Sequence, residues 1–523
     1  MTRLFIALSM ATAVALMAGH ARAENGVGQI KDGVAAANAK VGTPPDIIDP
    51  DFAVNLLAIR TDLLENPSGP ITFFGQLSDG TTLTEPDQNT YLVLDHNPGG
   101  PTPGFDYGRH FLFQGHENGA PFAYVTRINL DLPRSSPHRI TLLTSVDPKT
   151  GNTGFGSIDG STYNPFTNKL LFTQEAGAAG GVIQISVDWP PQINTLDAFL
   201  GKGGYEGIHP DNKGNIYIIE DVGGATSATP GLVNGRQPNS FVYRYLPNNP
   251  NRIEDGGQLQ ALQVIVDGSP VVFGGPAAVD ADISSTAQLR LHTPGTSFPI
   301  RWVTIHTAKA GDTSGFSANA AAKAAGATPF KRPENMAWLP GSGFRTFFFD
   351  PTGDTDAVAG ENPFLQARGS YGAIFQVNLR DDRDADESDD GRISLFFLGD
   401  HVHNSFDNLA FANEHQLLAA EDRGDTLHTQ LNTLDSVWAF DVKSKNKEPI
   451  RFIALGRDLT SLQHGEDNEP TGVFVSNGGT SPKHLLGTAE SLEHAHGFFT
   501  RQHGDNPVFE FFRKPERPSV SAK

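Results

Sequence analysis

A phrase that returns along the chain constrains its fold more than any single motif. An acid stands beside Gly or Asn, a small loop follows, and a strand then ends in a second acid. The clearest copies are YEGIHPDNKGNIYIIED (Tyr205 to Asp221), PENMAWLPGSGFRTFFFDPTGD (Pro333 to Asp354) and FDNLAFANEHQLLAAEDRGD (Phe406 to Asp425). The first acids Glu206, Glu334 and Asp407 precede Glu220, Asp350 and Glu421 by 14, 16 and 14 positions, the length of a β-hairpin with its turn. A looser copy runs from Asp159 to Glu175, another begins at Glu469, and RHFLFQGHENG, ending near Glu117, supplies the strand half of a sixth. Six imperfect repeats of this kind predict an all-β fold, a six-bladed β-propeller with large inter-strand insertions.

Short strands separated by Gly, Asn, Asp and Pro agree with this: TYLVLDH (Thr90 to His96), RHFLFQG (Arg109 to Gly115), KLLFTQE (Lys169 to Glu175), RTFFFD (Arg345 to Asp350) and SVWAFDV (Ser436 to Val442). Two insertions stand out. Gly311 to Phe330 is Ala-rich and predicts a short helix around Asn319 to Ala325. Arg380 to Arg392 is a charged loop; Asp386-x-Ser388-x-Asp390-Gly391 resembles half an EF-hand, but Phe397 stands where the closing acid belongs, so a solvated turn is expected. The stretch Glu24 to Pro50 and the tail Arg513 to Lys523 are expected to be extended or loosely held, around a single domain (24–523) with an ordered core from about 50 to 512.

In a propeller the innermost strands converge on a central channel. An acid at the same phrase position in several blades therefore brings several carboxylates into one small space. Like charges so close need protons or cations, and an oxygen-only cluster suits hard cations, Ca²⁺ above all. The candidate ligands are Glu117, Glu175, Glu206, Glu334, Asp407 and Glu469. Against each acid taken alone stands the simpler role of turn cap or partner of an Arg. The second acids Glu220, Asp221, Asp350, Glu421 and Asp422 lie at strand exits, where some are turn formers. Arg332, before Pro333-Glu334, could hold a phosphate or carboxylate, or simply pair with the neighbouring acids. The pairs His401-x-His403 and His494-x-His496 lack a third ligand at diagnostic spacing and read as surface-loop residues.

A net charge of −20 disfavours nucleic acid as a partner. With no cysteine, thiolate metal sites and nucleophiles are excluded. Arg3, the uncharged apolar run Leu4 to Gly19 and Ala21-Arg22-Ala23 read as a Sec-type signal peptide over residues 1–23. No other stretch approaches ~18 consecutive apolar residues. A periplasmic or secreted protein is expected, free of the membrane after cleavage and acting as a monomer.

The phrases GHEN, FTQE, YEG, RPEN and EPTGV occur in an order that resembles the PhoX-type alkaline phosphatase family, from about residue 85 to 490, most closely over Ala321 to Pro340. The resemblance implies a six-bladed propeller with a central cluster of Ca²⁺ and two irons that hydrolyses small phosphomonoesters. It implies metal-ligand roles for Glu206, Glu334 and Glu175, looser matches at Glu117 and Glu469, and a phosphate-facing role for Arg332. The chain departs from the family at Gln174, which stands where the family has a metal-bridging cysteine. It departs again at Gly115, at Tyr205 and in lacking a twin-arginine signal. A Ca²⁺-dependent phosphoesterase is the leading expectation. A Ca²⁺-dependent lactonase or esterase on the same scaffold, and a non-catalytic propeller stabilised by Ca²⁺, are its competitors.

Overall fold

The computed structural model describes residues 26–36, 45–119, 122–380, 390–444, 448–457 and 469–515. Residues 1–23, read above as a signal peptide, and 381–389 of the charged loop lie outside these. Asp390, at the edge of that loop, accepts a hydrogen bond from the Trp302 N–H (2.7 Å).

Six strands form the inner wall: β1 (Glu85–Val93), β2 (Ile158–Asn164), β3 (Tyr205–Pro210), β4 (Pro333–Trp338), β5 (Phe406–Phe411) and β6 (Pro470–Ser476). Each packs beside the next, and β6 packs beside β1, so the ring closes. Each heads an antiparallel sheet running outward, here called a sector and numbered by its inner strand. Sectors one and two are four-stranded, and sector five is five-stranded through Ile47–Ile48. Sectors three and four share one ten-stranded sheet, joined where Ser297–Lys309 pairs with both Gly256–Val266 and Gly391–Leu398. In sector six the outermost strand, Phe52–Ala58, comes from the N-terminal side and pairs with Val508–Arg513, tying both ends of the chain into one sheet. The architecture is all-β and propeller-like.

Burial follows from this packing. β3 and β4 are buried at every residue because each lies between two neighbouring sheets, which removes the in-out alternation of a half-exposed strand. The apolar interior is divided into wedges, one between each pair of adjacent sectors. Between sectors three and four, Tyr217 packs edge-on against Trp338 with centroids 4.8 Å apart. Between sectors four and five, Phe348 meets Phe411. Such edge-to-face aromatic pairs, drawn from 35 Phe, fill wedges that widen toward the rim.

The Ala-rich insertion forms the expected helix, Ala318–Ala324, capped by the Ser317 side chain. Ala318 and Ala322, one turn apart, are its buried face. Of the N-terminal stretch, residues 26–36 and 45–50 are described, and its first part is held against the ring. Val27 and Ile30 are buried, the Gly26 N–H donates to the Leu492 carbonyl (2.7 Å), and the Gln416 amide bonds both the N–H and the carbonyl of Ile30. Val27 and Ile30 thus fill a groove between sectors five and six.

Candidate metal centre

The site is built from one irregularity repeated around the ring. Near its start, each inner strand shifts register against its partner, so that two residues face one. A bulge of this kind re-aims a side chain that regular pairing would point elsewhere. In sectors one to five the first bulged residue is an acid: Asp87, Asp159, Glu206, Glu334 and Asp407. In sector six the shift falls one residue later, at Gly472, and leaves Thr471 in the acid's place.

Two further rows accompany the bulge. Residues just before the inner strands place their carbonyls against the N–H groups of residues leaving the second strands. Ser157 thus accepts from Glu175 (2.8 Å), Gly204 from Asp221 (2.7 Å), Arg332 from Thr352 (2.7 Å), Ser405 from Asp422 (2.7 Å) and Glu469 from Gln502 (2.9 Å). In sector one Glu85 pairs directly with Glu117. Ser157, Arg332 and Ser405 adopt left-handed backbone there (φ 35°, 50° and 52°), a conformation uncommon without glycine. Entry row, bulge row and exit row together account for nearly all of one polar cavity.

That cavity has a volume of about 240 Å³. It is lined by all six acids expected from the sequence, Glu117, Glu175, Glu206, Glu334, Asp407 and Glu469, and by Arg332. Glu85, Asp87, Asp159, Asp422, Gln502 and His503 complete the wall. Oxygens within 4.8 Å of one another define three overlapping carboxylate triads: Asp87–Glu117–Asp159, Asp159–Glu175–Glu206 and Glu206–Asp221–Glu334. Asp159 and Glu206 are shared corners.

Such crowding is unfavourable for bare charges. Burial first, and Asp407 next, push Asp87 up to about 8. Glu175 is pushed up to about 8 by burial and Asp221, and burial raises Asp407 to about 6. Burial and then neighbouring acids hold Glu117, Asp159, Glu206, Glu334 and Glu469 well above the usual carboxylate range. Arg332 supplies the compensating charge. Its Nε donates to Asp221 (2.8 Å) and its Nη1 to Thr355 (3.1 Å), while Nη2 lies 3.4 Å from Glu334 and 3.9 Å from Asp422. Burial works against the Arg332 charge, but Asp221, Glu334 and Asp422 outweigh it and raise its pKa. One guanidinium cannot neutralise this many acids. Asp159 Oδ1 and Asp221 Oδ1, on residues 2 % and 5 % exposed, have no hydrogen-bond partner. Buried carboxylate oxygens left open among other carboxylates, with no nitrogen or sulfur ligand in the triads, are a donor set for hard cations.

In the sequence the three rows look alike. Glu206, Glu334 and Asp407 are bulge residues, Glu117 and Glu175 are exit residues, and Glu469 is an entry residue. Asp87 was missed because the long link from Val93 to His110 destroys the hairpin spacing in sector one. Asp159 marks in the sequence only the start of a looser repeat. At the strand exits, period two separates near-identical neighbours. Asp221 joins a triad and Asp422 faces the cavity. Glu220 instead accepts from Tyr243, Phe241 and Asn319, Asp350 from the Asn335 N–H, and Glu421 from Arg423. Those three are internal ties, not turn formers. Gln174 is buried and lies outside the cavity lining; its Oε1 accepts from the Gly156 N–H (3.4 Å). The His pairs are apart from the cavity, with His403 on Asp400 and His496 on Glu510.

The chain is similar to known proteins chiefly in fold. The structure of Pseudomonas fluorescens PhoX in complex with vanadate, a transition state analogue, matches with a TM-score of 0.54 at 12% identity, covering 92% of this chain and 97% of that one. A catalytically inactive virginiamycin B lyase from Staphylococcus aureus, with quinupristin, matches at a TM-score of 0.34 and 11% identity over 88% of this chain and all of that one. No curated protein matches. The family model described as alkaline phosphatase PhoX matches residues 199–480, which span sectors three to five and enter sector six, and with more than half of its length so matched the chain belongs to the PhoX alkaline phosphatase family.

Proposed function

We propose that the chain is a secreted or periplasmic phosphoesterase that hydrolyses small phosphomonoesters in the carboxylate cavity, with several Ca²⁺ ions held by Glu117, Glu175, Glu206, Glu334, Asp407 and Glu469 together with Asp87, Asp159 and Asp221. We read the ring of sectors as a six-bladed propeller and residues 1–23 as an export signal. The single observation that carries the functional reading is the run of three carboxylate triads sharing Asp159 and Glu206, two of whose oxygens are buried without a partner. Bound there, hard cations would neutralise the phosphate and polarise its oxygens.

The chain's own residues prepare the site. The bulges aim five carboxylates at one volume, so little reorganisation accompanies ligand entry. Arg332 is the fork suited to a phosphate, and Thr355 and Asp221 fix its plane. His503, 3.6 Å from Glu85, adds a second ionisable nitrogen at the wall. Iron has weaker support than Ca²⁺, because no cysteine exists and Gln174 lies outside the cavity lining.

Hydrolysis of an aryl phosphomonoester by the purified protein at alkaline pH, with excess Ca²⁺ and then with a chelator, tests this. Turnover that requires Ca²⁺ is expected. Turnover of lactones without phosphomonoesters would move the site to the lactonase class. Chelation that lowers the melting temperature, with no turnover of any substrate, would leave a Ca²⁺-stabilised binding propeller. The absent thiolate is the feature that keeps both outcomes in view.

A further inference from the structure

Sector six breaks the pattern of the other five. Gly472 takes its bulge at φ +60°, and a Cβ there would lie 2.6 Å from Asn89 Nδ2 and 2.8 Å from the Asp87 carbonyl. No acid fits. Its bulge row is held by Thr471 and its exit row by Gln502, and neither side chain ionises. Both turn toward sector one. The Thr471 hydroxyl donates to Asp87 Oδ1. Gln502 Nε2 donates to Asp87 Oδ2 (2.9 Å) and to Glu117 Oε1 (3.1 Å). A hydroxyl has one proton to give. The carboxylate is a stronger acceptor for it than Asn408 Oδ1, which lies 3.3 Å away.

Asp87 therefore has a donor on each oxygen, while Asp159, the third corner of its triad, has Oδ1 open. Gln502 is itself held rigidly. Its N–H is bonded to the Glu469 carbonyl (2.9 Å), and its carbonyl accepts from Asn506, whose amide also reaches the Thr84 carbonyl (3.0 Å) beside Glu85. We propose that Thr471 and Gln502 are positioning residues, which hold the carboxyl groups of Asp87 and Glu117 aligned toward Asp159 so that this triad is a ready-made cation site. The proposal rests on reading the cavity as a cation site. Partners of this outer kind commonly control about 10- to 100-fold of metal affinity.

The test is calorimetric titration of Ca²⁺ into chelator-stripped full-length protein. Thr471→Val and Gln502→Met should each weaken one class of Ca²⁺ sites about tenfold or more and leave the remaining sites as in the parent, whereas Thr471→Ser should restore affinity to within about twofold. A parent that binds Ca²⁺ alongside two variants that bind it equally well overturns the positioning role. So does a Thr471→Ser protein as weak as Thr471→Val. A parent that binds no Ca²⁺ removes the cation reading itself, and the inference with it. Gln502 lines the open cavity and not a packed wedge, so Gln502→Met decides the matter if Thr471→Val fails to fold.

Discussion

Where the inner strands begin, the channel wall is carboxylate on nearly every side. A few residues further along the same strands, it is Ala337, Trp338, Leu409, Phe411, Phe474 and Val475 around a second, narrow cavity. The wall of that second cavity also includes the polar residues Gln88, Asn89, Asn335 and His209. The strands are continuous, so the contrast does not come from different elements. It comes from the bulge. Before it, side chains are swung into the channel; after it, regular pairing resumes and the same strands wedge apolar side chains between sheets. One end is arranged for chemistry and the other for cohesion.

The sharpest way to break this comparison is to substitute one residue at each end. Glu206→Gln removes a corner common to two triads. It should cost roughly 10²–10³ in kcat/KM, the scale seen when one preorganised electrostatic group is lost, with the melting temperature of the metal-stripped protein maintained or raised, because a buried acid is deleted from a repulsive cluster. Trp338→Ala should do the reverse. It empties a buried aromatic site and should cost about 3–5 kcal/mol of stability, with kcat/KM within about twofold of the parent. Equal effects on both quantities from both variants would show that the two ends are not separable.

pH should sharpen the contrast further. The raised acids, Asp87 and Glu175 at about 8, bind protons more tightly folded than unfolded. Their stabilising protonation is complete below the unfolded carboxylate range near 4 and is lost as pH rises toward 8. Metal-stripped protein should therefore melt at progressively lower temperature from pH 4 to pH 8. Ca²⁺ should flatten that slope, adding roughly 2.7 kcal/mol for each site at a hundredfold excess over Kd. Melting scans across pH with and without chelator check both parts. A slope that is the same in the two conditions would mean the cavity acids are not where the cation binds.

This division was half legible in the sequence. The hairpin spacing around Glu206, Glu334 and Asp407 was visible because those turns are short, and the ring followed from counting copies. The three rows were not visible. A bulge is a relation between two strands, and nothing in PENM or FDNL alone says that the acid is one of two residues opposite one. Asp87 shows the cost: its sequence EPDQNTY has no Gly at the bulge, and its partner strand begins seventeen positions after Val93. The donors Thr471 and Gln502 were hidden for a related reason. They matter through neighbours about 385 residues away, a distance no local pattern spans.

Arg332 gives the smallest expected effect and the most discriminating one, because it belongs to both explanations of the cluster. As glue, it holds Asp221, Glu334 and Asp422 together, and any cation of similar reach would serve. As a phosphate fork, it needs its planar pair of donors. Arg332→Lys keeps the charge and removes the fork. If the guanidinium meets substrate, KM for a phosphomonoester should rise roughly tenfold, about 1.4 kcal/mol, with kcat moving less and the melting temperature of the Ca²⁺-loaded protein nearly unchanged. If it is glue alone, KM should stay and the metal-stripped form should lose stability, since Nζ cannot reach Asp221 and Thr355 in the geometry that Nε and Nη1 now hold.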